Sequence, residues 1–148
     1  MQSVCKTFDE LTLDEFYQII ALRIDVFVVE QNCVYHELDG KDQRAYHLFI
    51  KDPETEKIIA YTRIFKPGDY FTEAAFGRVV VHPKYRKKHI GQLLIEKVID
   101  FIETQLKSKT IKISAQTYLK NWYESFGFQQ SSDPYLDDGI PHIDMLKQ

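Results

Sequence analysis

The residues best suited to chemistry lie in one run, His82-Pro83-Lys84-Tyr85-Arg86-Lys87-Lys88-His89-Ile90-Gly91-Gln92. Behind it the apolar residues Ile90, Leu93, Leu94, Val98, Phe101, Ile102 and Leu106 recur at threes and fours, which predicts a helix with one buried stripe. The first N–H groups of a helix have no intrahelical partners and sit at the positive end of its dipole. A basic turn feeding such an end therefore suits an anion, phosphate above all. Gly91 has no Cβ and lets a ligand approach the main chain. The same Lys and Arg residues also fit a solvated loop, and spacing alone leaves both readings open.

His47, His142, Glu37, Asp39, Asp42 and Asp144 are of metal-ligating type, yet their spacing matches no metal motif, so no metal is expected. Asp39-Gly40 and Asp138-Gly139 read as turns. Cys5 and Cys33 are too few and too irregular for a metal knuckle, and are read as reduced, buried small hydrophobes. No Gly-x-Gly-x-x-Gly, Gly-Lys-Ser/Thr or Gly-x-Ser-x-Gly occurs, which removes common nucleotide-binding and hydrolase readings.

The elements that must position the basic turn can be read in order. Val4–Phe8 is a strand, and Thr12 or Asp14 caps a helix running to Ile24. A second helical segment covers Asp25–Glu30, with Phe27, Val28 and Val29 as its buried face, although these residue types also permit a strand. Ala45–Lys51 and Lys57–Phe65 form a hairpin around Asp52–Glu56. Phe71–Val81 is the central strand, stopped by Pro83, which cannot donate to a ladder. Thr110–Ala115 returns parallel to it after the long helix. Tyr118–Phe126 is a short helix ended by Gly127, and Phe128–Ser131 and His142–Leu146 are the last two strands. The fold class is a mixed α/β sheet, parallel at its middle and antiparallel at its ends.

The 148 residues fit one domain, able to bury roughly 70% of its unfolded surface. Hydrophobic residues at 44% and charged residues at 28% are those of an ordinary globular chain. The net charge of −3 argues against a general nucleic-acid binder, which needs a broad positive surface. No run approaches the ~18 apolar residues of a membrane span. Met1–Lys6 has no apolar core of signal-peptide length, so the expected location is the cytoplasm.

Val81 to Gly91 resembles the acetyl-CoA motif of the GNAT N-acetyltransferases, Val-x-Pro-x-x-Arg/Gln-x-x-Gly-x-Gly/Ala; Arg86 and Gly91 match, and His89 stands at the first glycine. Leu22-Arg23 to Glu30-Gln31, Glu37-Leu38-Asp39-Gly40, Ala60–Ile64, Gly77–Val81, Ala115-Gln116, Tyr123–Phe128 and Asp138–His142 are similar to the ElaA-type branch of that family. The resemblance covers nearly the whole chain and implies a single GNAT domain over residues 1–148.

It also implies roles. Val79, Val80 and Val81 would bind the pantetheine arm of acetyl-CoA through their main chain. The N–H groups of Lys87, Lys88, His89, Ile90, Gly91 and Gln92 would take the pyrophosphate, with Arg86 adding charge. Gln116 stands where many members have a CoA-contacting asparagine, and Tyr123 where a tyrosine lies near the CoA sulfur and can protonate it. Histone-type relatives carry a glutamate at the position of Ala75; Glu73, two residues earlier, is either a base acting through water or a solvated strand end. The loops Gln31–Gln43 and Ser131–Pro141 are acidic, which would suit a cationic amine but also fits ordinary solvated surface; Glu37 and His142 fall on the acceptor side, and His142 reads equally as a satisfied structural histidine. The implied activity is acetyl transfer to a small-molecule or peptide primary amine, without metal, nucleic acid or membrane. A non-catalytic acyl-CoA-binding sensing module is the alternative, kept open by Ala75.

Overall fold

A computed structural model describes residues 1–148. Strand β1 (Ser3–Thr7) leads through a 3-10 turn into helix α1 (Leu13–Ile24). Thr12 starts that helix: Glu15 N–H donates to its Oγ1 at 3.0 Å, and Thr12 N–H donates back to the Glu15 carboxylate at 2.9 Å, a reciprocal capping box. A π-helical turn continues over Asp25–Glu30. The buried residue there is Val26, while Val29 is exposed, contrary to the sequence expectation. Val26 follows Ile19 and Leu22 at helical spacing and so extends the α1 stripe.

Strands β2 (Tyr46–Lys51) and β3 (Ile58–Phe65) form the expected hairpin, followed by β4 (Ala74–Val81), α2 (Ile90–Thr104), β5 (Ile111–Gln116) and α3 (Lys120–Glu124). Pairing of β4 begins at Ala74 rather than Phe71, because the preceding residues are turn and bend around Gly68 at φ +92. The C-terminal part holds three strands where two were expected, β6 (Gln129–Gln130), β7 (Tyr135–Asp137) and β8 (Ile140–Lys147). The extra one arises because Asp138 and Gly139 both adopt positive φ, 49 and 79, and close a two-residue hairpin.

The sheet order is β1-β2-β3-β4-β5-β8-β6, with β7 also on β8. Only β4–β5 is parallel. Helix α2 packs Ile90, Leu94, Ile95, Val98 and Ile102 on one face, against Leu48, Ile50, Ile64 and Phe76 among others. Helix α1 covers the opposite face, with Ile19, Leu22 and Val26 on Phe49, Ile58, Tyr61 and Val80. Between these layers every residue of β3 is buried.

One irregularity shapes the central strand. Tyr61 pairs with Val80 and Arg63 with Gly77, so β4 has one residue more than β3 across this step. Arg78 takes φ +52 there. An inserted residue shifts a strand's side-chain alternation by one. Ala74 and Phe76 accordingly face α2 before the bulge, whereas Val79 and Val81 face it afterwards and Val80 turns to α1.

Candidate active site

Strands β4 and β5 pair only at Ala74–Ile111 and Ala75–Lys112. Beyond these positions they part, so from Phe76 onward the β5-facing edge of β4 has main-chain groups without a strand partner. The gap opens into a cleft of about 340 Å³. Phe76, Gly77 and Val79 form one wall, Ile113, Ala115 and Gln116 the other, with Leu119 and Tyr123 between. Phe27, Tyr35, His36, Tyr70, Phe71 and His142 also line it.

Tyr123 is 5% exposed and its hydroxyl makes no hydrogen bond to the protein. Burial first, and Tyr118 second, push its pKa well above the ordinary tyrosine value. The group is therefore held protonated, as a proton donor must be. Gln116 faces the cleft, and its Nε2 donates weakly to Gln31 Oε1 at 3.5 Å.

The basic turn lies at the far end of β4. The first hydrogen bond of α2 in this turn runs from Leu93 N–H to His89 carbonyl at 3.1 Å, leaving the N–H groups of Ile90, Gly91 and Gln92 ahead of it. His89 caps the helix in the left-handed conformation, φ 58, which explains why the family pattern has glycine there. Gly91 packs beside Trp122: a Cβ would stand 3.4 Å from the indole ring. Lys87 and Lys88 are exposed, and Lys88 Nζ lies over the Tyr85 ring. Arg86 is not a free cation. Its guanidinium grips the Glu30 carboxylate at 2.5 and 2.7 Å and donates to Val81 carbonyl at 3.1 Å.

The sequence reading missed an ion network at the cleft, three of whose members, Asp39, Arg63 and Arg78, line it. Arg23, wholly buried, donates to Glu37 at 2.5 Å and to Asp42 at 2.8 Å. Arg63 bonds Asp39 at 2.6 and 2.9 Å and Asp42 at 3.1 Å. Arg78 reaches Glu37 at 2.9 Å, and the Tyr35 hydroxyl donates to the same carboxylate. Burial opposes the charge on Asp39, but the Arg63 bond and charge hold its pKa well below the carboxylate range. Glu37, expected at the acceptor, is thus buried with both oxygens committed. The loop Gln31–Gln43 does not offer free negative charge either, since its three carboxylates face three arginines. Gly77 inside an apolar strand was the signal for the bulge that places Arg78.

Other residues lie as follows. Glu73 sits in the bend before β4, outside the cleft wall. The Val80 side chain is core, so only its main chain is available. Cys33 is half-buried rather than core: it lines the cleft, and its thiol donates to Asp138 carbonyl at 3.4 Å. Cys5 is half-buried in β1 with a thiol pushed up to about 12, by burial first. No group of three or more His, Cys, Asp or Glu has the geometry of a metal site, and no helix is long and apolar enough to cross a membrane.

The fold and cleft can be set beside known proteins. Residues 12–148 match the family model described as an acetyltransferase (GNAT) domain. The protein ElaA of Escherichia coli K12 is 37% identical over 139 residues, 94% of this chain and 91% of ElaA. The crystal structure of Escherichia coli ElaA superposes with a TM-score of 0.91 over 99% of both chains. An acyl-CoA N-acyltransferase from Pseudomonas aeruginosa gives the same score over 100% of both chains at 34% identity. The chain belongs to the GNAT acetyltransferase family and is an N-acetyltransferase of ElaA-like type.

Proposed function

We propose that this enzyme moves an acetyl group from acetyl-CoA to a primary amine by direct attack in a ternary complex. The observation that carries the reading is the parting of β4 from β5 after Ala75, with the unpartnered Tyr123 hydroxyl beside the gap. The family uses acyl-CoA and acts on small-molecule or peptide amines. The residues here suit that ligand: the free edge of β4 offers strand-like pairing to the pantetheine amides, and the N–H groups ahead of Leu93 suit the pyrophosphate.

In this scheme the main chain of Val79–Val81 aligns the thioester, and one of its N–H groups stabilises the charge that develops on the carbonyl oxygen. Lys87, Lys88 and the start of α2 hold the phosphates, while Arg86 fixes the turn to Glu30. Tyr123 gives its proton to the sulfur as the carbon–sulfur bond breaks. Proximity of amine and thioester in the narrow cleft supplies the larger share of the rate. Glu73 lies outside the wall, so no β4 carboxylate stands ready to take the amine proton.

The test is free-thiol release from acetyl-CoA across polyamines, amino acids, aminoglycosides and peptides, with product mass measured. At least one amine should gain an acetyl group. Tight acetyl-CoA binding with no acetylated product anywhere would overturn the catalytic reading in favour of a sensing module.

A further inference from the structure

We infer that His142 is the general base of the transfer, taking the acceptor's proton on Nε2. The inference rests on the acetyl-transfer reading above. His142 lies on β8 directly opposite Gln116 of β5, and both residues line the cleft. Directly opposite residues of an antiparallel pair share a face, so the imidazole stands on the strand beyond β5, two places from the β4 wall along which the thioester would lie.

Its tautomer is set by the main chain. Nδ1 lies 2.7 Å from the Ile140 carbonyl oxygen, and a carbonyl can only accept. In the neutral ring Nδ1 therefore carries the hydrogen and Nε2 the lone pair. Nε2 makes no hydrogen bond within the chain. The ring is further held by stacking on Tyr135, with centroids 6.2 Å apart and planes at 23°. Tyr135 is itself anchored, donating to Asp144 Oδ1 at 2.6 Å and touching Ser114 Oγ through its hydroxyl. A buttressed imidazole with one committed nitrogen and one free nitrogen has the arrangement of a base awaiting its substrate.

The groups around the ring are Tyr135 and Asp137 on β7, Asp138 in the turn, and Asp144 on β8, which also meets Lys112 of β5 at 3.8 Å. Cys33, whose thiol meets the Asp138 carbonyl at 3.4 Å, His36 and Tyr123 line the same cleft.

The proton balance closes. A primary amine arrives as an ammonium ion and gives one proton to His142 Nε2. Its nitrogen then bonds to the thioester carbon, and the carbon–sulfur bond breaks. The second nitrogen proton passes through solvent to the Tyr123 oxygen, replacing the one that Tyr123 gives to sulfur. The imidazolium returns its proton to solvent, and each turnover yields one amide, one free thiol and one released proton.

Two measurements decide the matter. Long-range nitrogen–proton NMR correlation on the labelled protein, with His142 assigned by substitution, should show the neutral ring as the Nδ1–H tautomer with Nε2 bare. An Nε2–H tautomer would overturn the inference without reference to turnover. The second compares wild type with His142→Asn, whose amide can still donate to Ile140 carbonyl. With 2-phenylethylamine, an ammonium ion at pH 7, kcat/KM should fall about 100-fold or more. With hydroxylamine, already neutral at that pH, it should fall only a few-fold. Equal losses for both probes, or none, would refute the role. If the substituted protein fails to fold by circular dichroism, the wild-type tautomer decides. Wild-type protein that binds acetyl-CoA but releases no thiol with either probe, or with any amine tried, would remove the transfer reading and the base with it.

Discussion

Arg78 Nε meets the Glu37 carboxylate at 2.9 Å, tying the bulge of β4 to the loop Gln31–Gln43 that lines the cleft. Glu37 also receives Arg23 and the Tyr35 hydroxyl, so removing it strips the Nε of both arginines of their shared carboxylate and leaves Arg23 with Asp42 as its only carboxylate. Glu37→Ala should lower stability by about 3–5 kcal/mol, the scale for breaking a buried ion pair. Urea unfolding measures this; a loss below 1 kcal/mol would mean the network relaxes around the gap.

Gly91 and His89 separate two uses of the helix start. The Trp122 ring leaves room for a methyl group at Gly91, so Gly91→Ala should change acetyl-CoA affinity only a few-fold. Gly91→Glu places a carboxylate where phosphate is expected and should weaken binding at least about 100-fold, roughly 2.7 kcal/mol. His89→Gly should raise stability by about 0.5 kcal/mol, since left-handed strain slightly exceeds the entropy that glycine brings. Calorimetry and thermal melting read these effects, and unchanged affinity in a natively folded Gly91→Glu protein would move the phosphate site elsewhere.

Tyr123→Phe keeps the ring that packs against Phe76 and Phe128 and removes only the hydroxyl. Acetyl-CoA affinity should stay within a few-fold while kcat falls about 10- to 1,000-fold. A wild-type kcat where chemistry limits turnover would make the residue structural.

Acid should destabilise the protein in two stages. His47 is buried, its Nε2–H donating to Asp42 carbonyl and its Nδ1 accepting from Tyr61. Burial, the largest cause, holds its folded-state pKa below the ordinary 6.5. The unfolded chain therefore takes up this proton first as pH falls. The stability held by the neutral ring is complete above about 6.5 and is lost as pH drops towards the lower folded value. Asp39 and Asp42 act later. Burial opposes their charge, yet Arg63 and Arg23 overcome it, and their contribution is complete above about 3.8 and lost below it. The melting temperature should fall between pH 7.5 and 5.5, and His47→Gln should flatten that decline. A flat wild-type profile would contradict the assignment.

Most of the element order was legible because it rests on local physics: the capping box at Thr12, the stripe of α2, Pro83 closing β4 and the apolar runs of β2 and β3. The basic turn was legible as a site because cations and a helix start adjoin in sequence. What escaped was long-range. Arg23 stands 14 and 19 residues from its acidic partners, and nothing local shows that these acids fold inward. The face reversal along β4 depends on one inserted residue, flagged only by Gly77. The role inferred for His142 rests on a bond to Ile140, two residues away, that becomes visible only once the β7–β8 turn is built.

The short parallel contact between β4 and β5 has a mechanical meaning. Residues up to Val81 build one half of the sheet and residues from Ile111 build the other, and two residue pairs are all that join them directly. No turn fixes their spacing. The jaw is set from behind, by the one core that Leu94 and Val98 of α2 share with side chains of both halves. Trimming one of those chains would alter how far the mouth gapes without touching any residue that meets a ligand.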